Sequence, residues 1–197
     1  YYVIKKSGDK RMKKITTVEM VLCALFSALT AIGAFIQIPV PGMDYFTLQF
    51  FFVLMAGMIL GSRLGAISVA VYVLIGLCGV PVFAAGGGIT YIFRPSFGYL
   101  LGFIVTAFVT GLVLEKVRLK GFARYIIAAF AGFVTCYAIG LTYKYLMLNF
   151  YVGEDTSLIL VFLDCFPLDI PGDILLSTLA SVCGVKLRPF LQNKIHS

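Results

Sequence analysis

The chain has 197 residues, of which 60% are hydrophobic and only 13% are charged, and its mean hydropathy is +1.00. A water-soluble domain of this size could not cover so much apolar side chain, so the composition excludes that class and predicts a membrane protein. The net charge of +7 would suit nucleic-acid binding, but the placement of the charges argues against a nucleic-acid partner.

Six apolar segments are long enough to cross or nearly cross a bilayer, which takes about 17–25 mostly apolar residues per helix. Backbone groups in lipid must be satisfied within their own segment, so each segment is expected to be a helix. The predicted helices are 18–38, 47–60, 64–77, 96–114, 125–148 and 173–185. This predicts an all-α integral membrane protein: one six-helix bundle over residues 12–197. Residues 1–11 are interpreted as a basic upstream tail, because "MKKITTVEM" from Met12 would be a plausible start.

The basic residues fall on one side of such a bundle. Six lie between residues 5 and 14, one at 63, four between 116 and 124, and three between 186 and 194. By the positive-inside rule that side is the cytoplasm, so both termini are predicted to be cytoplasmic. Six of the nine acidic residues fall on the opposite side. Only Arg94 and Lys144 break the rule for basic residues.

The first helix is predicted to begin at Thr16 or Thr17, either of which can cap it, with Glu19 favourable in the first turn. Ala24 and Ala28 lie one turn apart on one face. Small residues at this spacing let another helix approach closely in lipid. That other helix could belong to this bundle or to a partner protein.

The external loop "CGVPVFAAGGGITYIFRPS" is long, apolar and rich in glycine. Gly86, Gly87 and Gly88 leave backbone amides accessible to a ligand. Irregular backbone at membrane depth is tolerated only where protein or a cavity covers it. Aromatic residues such as Phe83 and Tyr91 argue against a solvated loop. Arg94 within this loop is predicted to bind a carboxylate through two N–H groups of its guanidinium. The alternatives are that it anchors to external lipid phosphates or pairs with an acidic loop residue.

Two further charged residues are candidates for the same external site. Asp173 follows Pro171-Gly172 and is predicted to start the last helix, as its cap or in its first turn, with its carboxylate accepting N–H donors. Lys144 either extends to the outer headgroups or turns inward to the site. The apolar part of the preceding loop is too short to span, so it would lie at the interface or cover the bundle as a lid.

Several classes of chemistry lack their residues in this sequence. There is no GxxxxGK[ST] motif for ATP, no cluster of histidine, cysteine and carboxylate for a metal, and no histidine placed to activate a nucleophile. We therefore predict a binding protein with no cofactor, rather than an enzyme. A membrane enzyme that acts on lipids through its outer carboxylates is the alternative from another class.

The segment "GVPVFAAGGG…RPSFGYLLGF", together with "PGDILLSTLA", resembles the BioY family, the biotin-specific S components of energy-coupling factor (ECF) transporters. The resemblance covers nearly the whole chain from about Met12. It implies a six-helix S component in the bacterial plasma membrane that captures biotin from outside. It also implies partners: a membrane T component, which would meet the face with Ala24 and Ala28, and two cassette ATPases, which would bind the ATP.

The resemblance gives roles to individual residues. Asp173 would contact the ureido ring of biotin, and Arg94, near Tyr99 of the "PSFGYLLGF" element, would hold the valerate carboxylate. The chain departs from the family at Leu176, where a lysine is usual, and at Ala84 to Gly86, where some members have an amide. Lys144 would then replace the missing cation, or the ligand would be a relative of biotin such as lipoate or dethiobiotin.

Overall fold

The computed structural model describes residues 15–39, 45–119, 121–165 and 169–195, so the predicted tail at 1–11 lies outside the described residues. The protein is a bundle of helices with one small two-stranded ribbon. In chain order the main elements are α1 (Thr17–Phe35), β1 (Gln37–Pro39), β2 (Tyr45–Thr47), α2 (Gln49–Leu77), a 3₁₀ turn (Ile89–Phe93), α3 (Phe97–Lys116), α4 (Phe122–Leu146) with a π-helical extension (Met147–Val152), α5 (Leu158–Cys165) and α6 (Asp169–Ile195).

The start of α1 confirms the predicted cap. The Thr16 side chain accepts a hydrogen bond from the Glu19 backbone N–H, and the Glu19 carboxylate accepts one from the Thr16 backbone N–H at 2.7 Å. This reciprocal capping box satisfies amides that have no partner within the helix.

The helix α2 is folded in two at Gly61, where φ is +84° and ψ is −178°. In a straight helix Gln49 and Tyr72 would be about 35 Å apart, yet their side chains are hydrogen-bonded to each other. The two halves, 49–60 and 62–77, are therefore antiparallel and correspond to the predicted second and third helices. Glycine suits the turn because a side chain at positive φ is strained.

Within the described part of the chain, five helices are long and apolar enough to cross a membrane, with the folded α2 counted once. Their outer surfaces carry exposed large apolar side chains, for example Val21, Leu25 and Ile32 on α1. Such a surface suits a lipid environment. The core lies between the halves of α2 and the inner faces of α3, α4 and α6, with Val53, Ala107 and Ala128 fully buried.

The predicted start of the last helix at Asp173 was wrong. The helix α6 begins four residues earlier, at Asp169, so Asp173 lies in its second turn. Pro171 does not prevent this start, because the first amides of a helix have no partner in the helix. The loop before α6 contains the eight-residue helix α5, which contacts α4.

The bundle has two distinct ends. We call the first the basic end: it comprises the turn at Gly61, the end of α3, the start of α4 and the second half of α6, and it carries Arg63, Lys116, Arg118, Arg124, Lys186 and Arg188. The cavity end is opposite, and comprises the ribbon, the starts of α2, α3 and α6, and the end of α4.

Candidate ligand-binding site

A cavity of about 420 Å³ lies at the cavity end. Its walls come from the ribbon, from the starts of α2, α3 and α6, and from the C-terminal half of α4. Most of the wall is aromatic or aliphatic, and the rest consists of a few polar and charged side chains, as is typical of small-molecule sites. The aromatic lining residues are Tyr45, Phe46, Phe50, Tyr91, Tyr99, Phe103 and Tyr137.

The carboxylate of Asp173 is held in place by Tyr137. The Tyr137 hydroxyl donates a hydrogen bond of 2.8 Å to Asp173 Oδ2. The ring of Phe46, in strand β2 of the ribbon, packs directly on Gly172, so that a Cβ atom at position 172 would lie only 2.5 Å from the ring. This contact fixes the start of α6 against the ribbon. One carboxylate oxygen thus has a protein donor, and Asp173 can still accept hydrogen bonds from a ligand.

Lys144 is the one basic side chain among the described residues that line the cavity. It lies seven residues after Tyr137 on α4, which corresponds to two turns, or about 10 Å along the helix axis. The cavity therefore has a carboxyl group at the level of Tyr137 and an amino group nearer the end of the bundle. Glu154 and Asp169 also line it.

Another polar group in the wall is the amide of Gln49, at the first residue of α2. Gln49 is 4% exposed and lines the cavity. Its Nε2 donates to the hydroxyl of Tyr72, which in turn donates to the carbonyl oxygen of Val82 at 3.2 Å. The glycine-rich loop is thus connected to the cavity wall through Tyr72.

The structure brings four of the predicted site residues together. Asp173, Tyr99, Tyr91 and Lys144 all line the cavity. These four residues are far apart in the sequence, so the site forms only when α3, α4, α6 and the 3₁₀ turn pack together correctly.

Other predicted residues lie behind the wall. Phe83 is 1% exposed, its ring packs on Gly76, and it contacts the ring of Tyr91 with centroids 4.7 Å apart. The loop of Gly86, Gly87 and Gly88 is fixed to the end of α2, with the Gly88 N–H donating to the Gly76 carbonyl at 2.7 Å. These residues support the cavity wall at Tyr91, while Ala84 of the same loop lines the cavity.

Arg94 lies beside the cavity and not among its lining residues. Its side chain is exposed, and its Cζ atom is 5.4 Å from the centroid of the Tyr91 ring. The binding of a ligand carboxylate by Arg94 stays a prediction. Leu176, at the position where the resemblance implies a lysine, is buried in the core.

Gln49 and Tyr137 were not predicted as site residues from the sequence. Gln49 had a recognisable signal, because an amide inside an apolar helix is costly in a membrane and is by default a functional candidate. Tyr137 had none, since a tyrosine in an apolar helix is common and its contact with Asp173 depends on how α4 and α6 pack. Among the described residues, no group of three or more histidine, cysteine, aspartate or glutamate side chains could hold a metal ion.

These features define a multi-pass helical membrane protein with a small-molecule cavity at one end. Comparison with known proteins identifies the family: the BioY family model matches residues 9–193, and the chain belongs to the BioY family. The resemblance found in the sequence is confirmed. BioY is a family of transporters, in agreement with the prediction that the chain is not an enzyme.

Individual relatives are similar over most of their length. The probable biotin transporter BioY of Lysinibacillus sphaericus is 42% identical over 176 residues, which is 89% of each chain. The biotin transporter BioY of Thermotoga maritima is 43% identical over 137 residues, 69% of this chain and 77% of the relative. A crystal structure of the S component for biotin from an ECF-type ABC transporter superimposes with a TM-score of 0.75 at 27% identity, covering 87% of this chain and 90% of the other.

Proposed function

We propose that this chain is the biotin-capturing S component of an ECF transporter in the cell membrane. The observation that carries the proposal is the cavity with Asp173 and Lys144 at two levels, in a chain that belongs to the BioY family. The named relatives and the solved S component are biotin proteins, which supports the same ligand.

The polarity of the cavity supports one orientation of biotin. The ureido ring would lie beside Asp173, whose oxygens accept N–H donors, and the valerate carboxylate would point toward Lys144. The aromatic walls between them would contact the fused rings and the aliphatic chain. Arg94, beside Tyr91, is the second candidate partner for the carboxylate.

We place the basic end of the bundle in the cytoplasm, by the positive-inside rule, so that the cavity end faces the exterior and both termini are inside. Cys78 is exposed next to the cavity end and is suited to a test of this topology. A membrane-impermeant maleimide is expected to label Cys78 in intact cells. Labelling that requires permeabilised cells would contradict the orientation.

The chain would act together with a T component and two cassette ATPases, which would bind the ATP. Ala24 and Ala28 are both exposed on α1, where a partner helix could approach closely. Co-expression followed by purification through a tag on this chain is expected to recover all of these subunits. Recovery of the chain without them, from membranes that contain all the subunits, would contradict the assembly.

Equilibrium binding to the purified chain in detergent or nanodiscs tests the proposed ligand. We expect submicromolar affinity for biotin and weaker binding of dethiobiotin and of lipoate, which lacks the ureido ring. Tighter binding of lipoate or dethiobiotin would leave the S-component function intact and would show that this compound, and not biotin, is the ligand. Absence of biotin binding by the wild-type chain would overturn the proposal for biotin.

A further inference from the structure

The amide of Gln49 is a buried polar group that the protein itself only partly satisfies. Its Oε1 accepts a hydrogen bond of 3.1 Å from the Thr47 hydroxyl, and its Nε2 donates to the Tyr72 hydroxyl. A primary amide has two N–H donors and an oxygen with two lone pairs. One donor and one lone pair are used in this way.

The direction of the amide follows from its neighbours. The Tyr72 hydroxyl has a single hydrogen, which it donates to the Val82 carbonyl at 3.2 Å. The Tyr72 oxygen can therefore only accept from Gln49, so the amide nitrogen must face Tyr72 and the amide oxygen must face Thr47. Tyr72 is 1% exposed and packs edge-on against Phe83, with ring centroids 5.5 Å apart, so its hydroxyl is fixed in position.

The remaining donor and lone pair determine which ligand group fits. Among the described residues, the second N–H of the amide has no protein acceptor, and a buried donor left unpaired costs about 1–3 kcal/mol, so a ligand that offers an acceptor here is favoured. The second lone pair of the amide oxygen can in addition accept from a donor beside that acceptor. A carboxylate only accepts, and a hydrocarbon chain does neither. A urea or lactam group has an N–H and a C=O side by side and can satisfy both.

We propose that Gln49 recognises the urea-like head of the ligand, and that Tyr72 is a positioning residue that fixes the direction of the Gln49 amide. Phe46 packs on Gly172, next to Asp173, and lies three residues before Gln49, so the amide and the carboxylate belong to the same region of the cavity. The identity of the ligand rests on the proposed function. The assignment of the amide rests on the hydrogen bonds of Gln49.

A double-mutant cycle on biotin binding tests the assignment. Gln49→Met keeps the shape of the side chain without its hydrogen bonds, and Tyr72→Phe removes one oxygen atom. We expect Gln49→Met to weaken biotin binding about tenfold or more and Tyr72→Phe to weaken it about threefold to tenfold. In the Gln49→Met background, Tyr72→Phe should change affinity by less than about twofold, because Tyr72 acts through Gln49.

Two control variants match these changes elsewhere in the chain. Gln37→Leu removes an exposed glutamine amide from β1, and Tyr125→Phe removes a hydroxyl at the basic end. Both should bind biotin as the wild type does. The melting temperature of each variant without ligand separates lost binding from lost folding, and Tyr72→Phe remains informative if Gln49→Met does not fold.

Three results would overturn the assignment. Wild-type affinity in Gln49→Met would show that the amide does not recognise the ligand. Equal effects of Tyr72→Phe in both backgrounds would show that Tyr72 acts independently of Gln49. A wild-type chain that does not bind biotin would overturn the ligand as well, whereas the first two results leave the proposed function intact.

Discussion

Aromatic rings pack on glycines more often at the cavity end of the bundle than at the basic end. At the basic end, glycines bring backbones into contact: Gly111 lies against the backbone of Ser62, and Gly65 against that of Ala56. At the cavity end, aromatic rings pack directly on glycines, as the ring of Tyr99 does on Gly140. At the basic end these contacts bring the turn at Gly61 close to α3, while at the cavity end rings fill the space beside the glycines.

This contrast accompanies a difference in cavity size: the cavity at the cavity end has about 420 Å³, and the one at the basic end, beside Ser62 and Glu115, has about 320 Å³. Close backbone contact in lipid is favourable through packing, and it leaves no room for a ligand. A ring placed against a glycine fills the gap between two helices while keeping their axes apart. Tyr99, which packs in this way, is itself part of the cavity wall. Tyr99 therefore contributes both to the packing of the helices and to the cavity wall.

The largest expected effect comes from placing a side chain where backbones touch. A methyl group at position 111 would already overlap the Ser62 backbone, which cannot move without displacing the turn at Gly61. Gly111→Leu should destabilise the protein by about 3 kcal/mol or more and lower its melting temperature in detergent. Val105→Leu, which adds the same side chain on the exposed face of α3, is the control. Equal melting temperatures for the two variants would show that the basic end is not closely packed.

At the cavity end, we expect mutations to alter ligand affinity more than folding. Asp173→Asn replaces a carboxyl oxygen that can accept ligand N–H donors with an amide NH₂ group, and biotin affinity should fall about 10- to 100-fold in titration calorimetry. Asp155→Asn changes an exposed carboxylate outside the cavity and should have no effect. Unchanged affinity in Asp173→Asn would remove Asp173 from the site.

A smaller effect is expected nearer the end of the bundle, where Lys144 and Arg94 are the two candidate partners proposed for the ligand carboxylate. Lys144→Met should weaken biotin binding about tenfold, through loss of a charge-assisted hydrogen bond at the cavity wall. Arg94→Met should weaken it by less than about threefold, because an exposed charge contributes little. The reverse ranking would favour the sequence prediction for Arg94 over the assignment to Lys144.

The helices were predictable because apolar runs of membrane-spanning length leave few alternatives in lipid. The cap at Thr16 was predictable because it depends on residues only three positions apart. The start of α6 was not predictable from the sequence. The pair Pro171-Gly172 suggests a helix boundary, yet the first turn of a helix accepts both residues.

The site was predictable only in part. Asp173 stood out as a carboxylate beside a predicted membrane helix, and Lys144 as a basic residue on the unexpected side. Arg94 stood out in the same way, yet it lies beside the cavity. The difference is one of direction: Lys144 lies on a helix face that packing turns inward, while Arg94 follows a 3₁₀ turn whose buried side is occupied by Tyr91.

By itself, the sequence determined that the chain lies in a membrane, roughly where its helices run and which end is basic, because hydropathy and charge act on each segment separately. Only the tertiary structure decided which polar groups share the cavity. Gln49 with Tyr72, and Asp173 with Tyr137, are pairs from distant segments, and no spacing along the chain encodes how the faces of two helices meet.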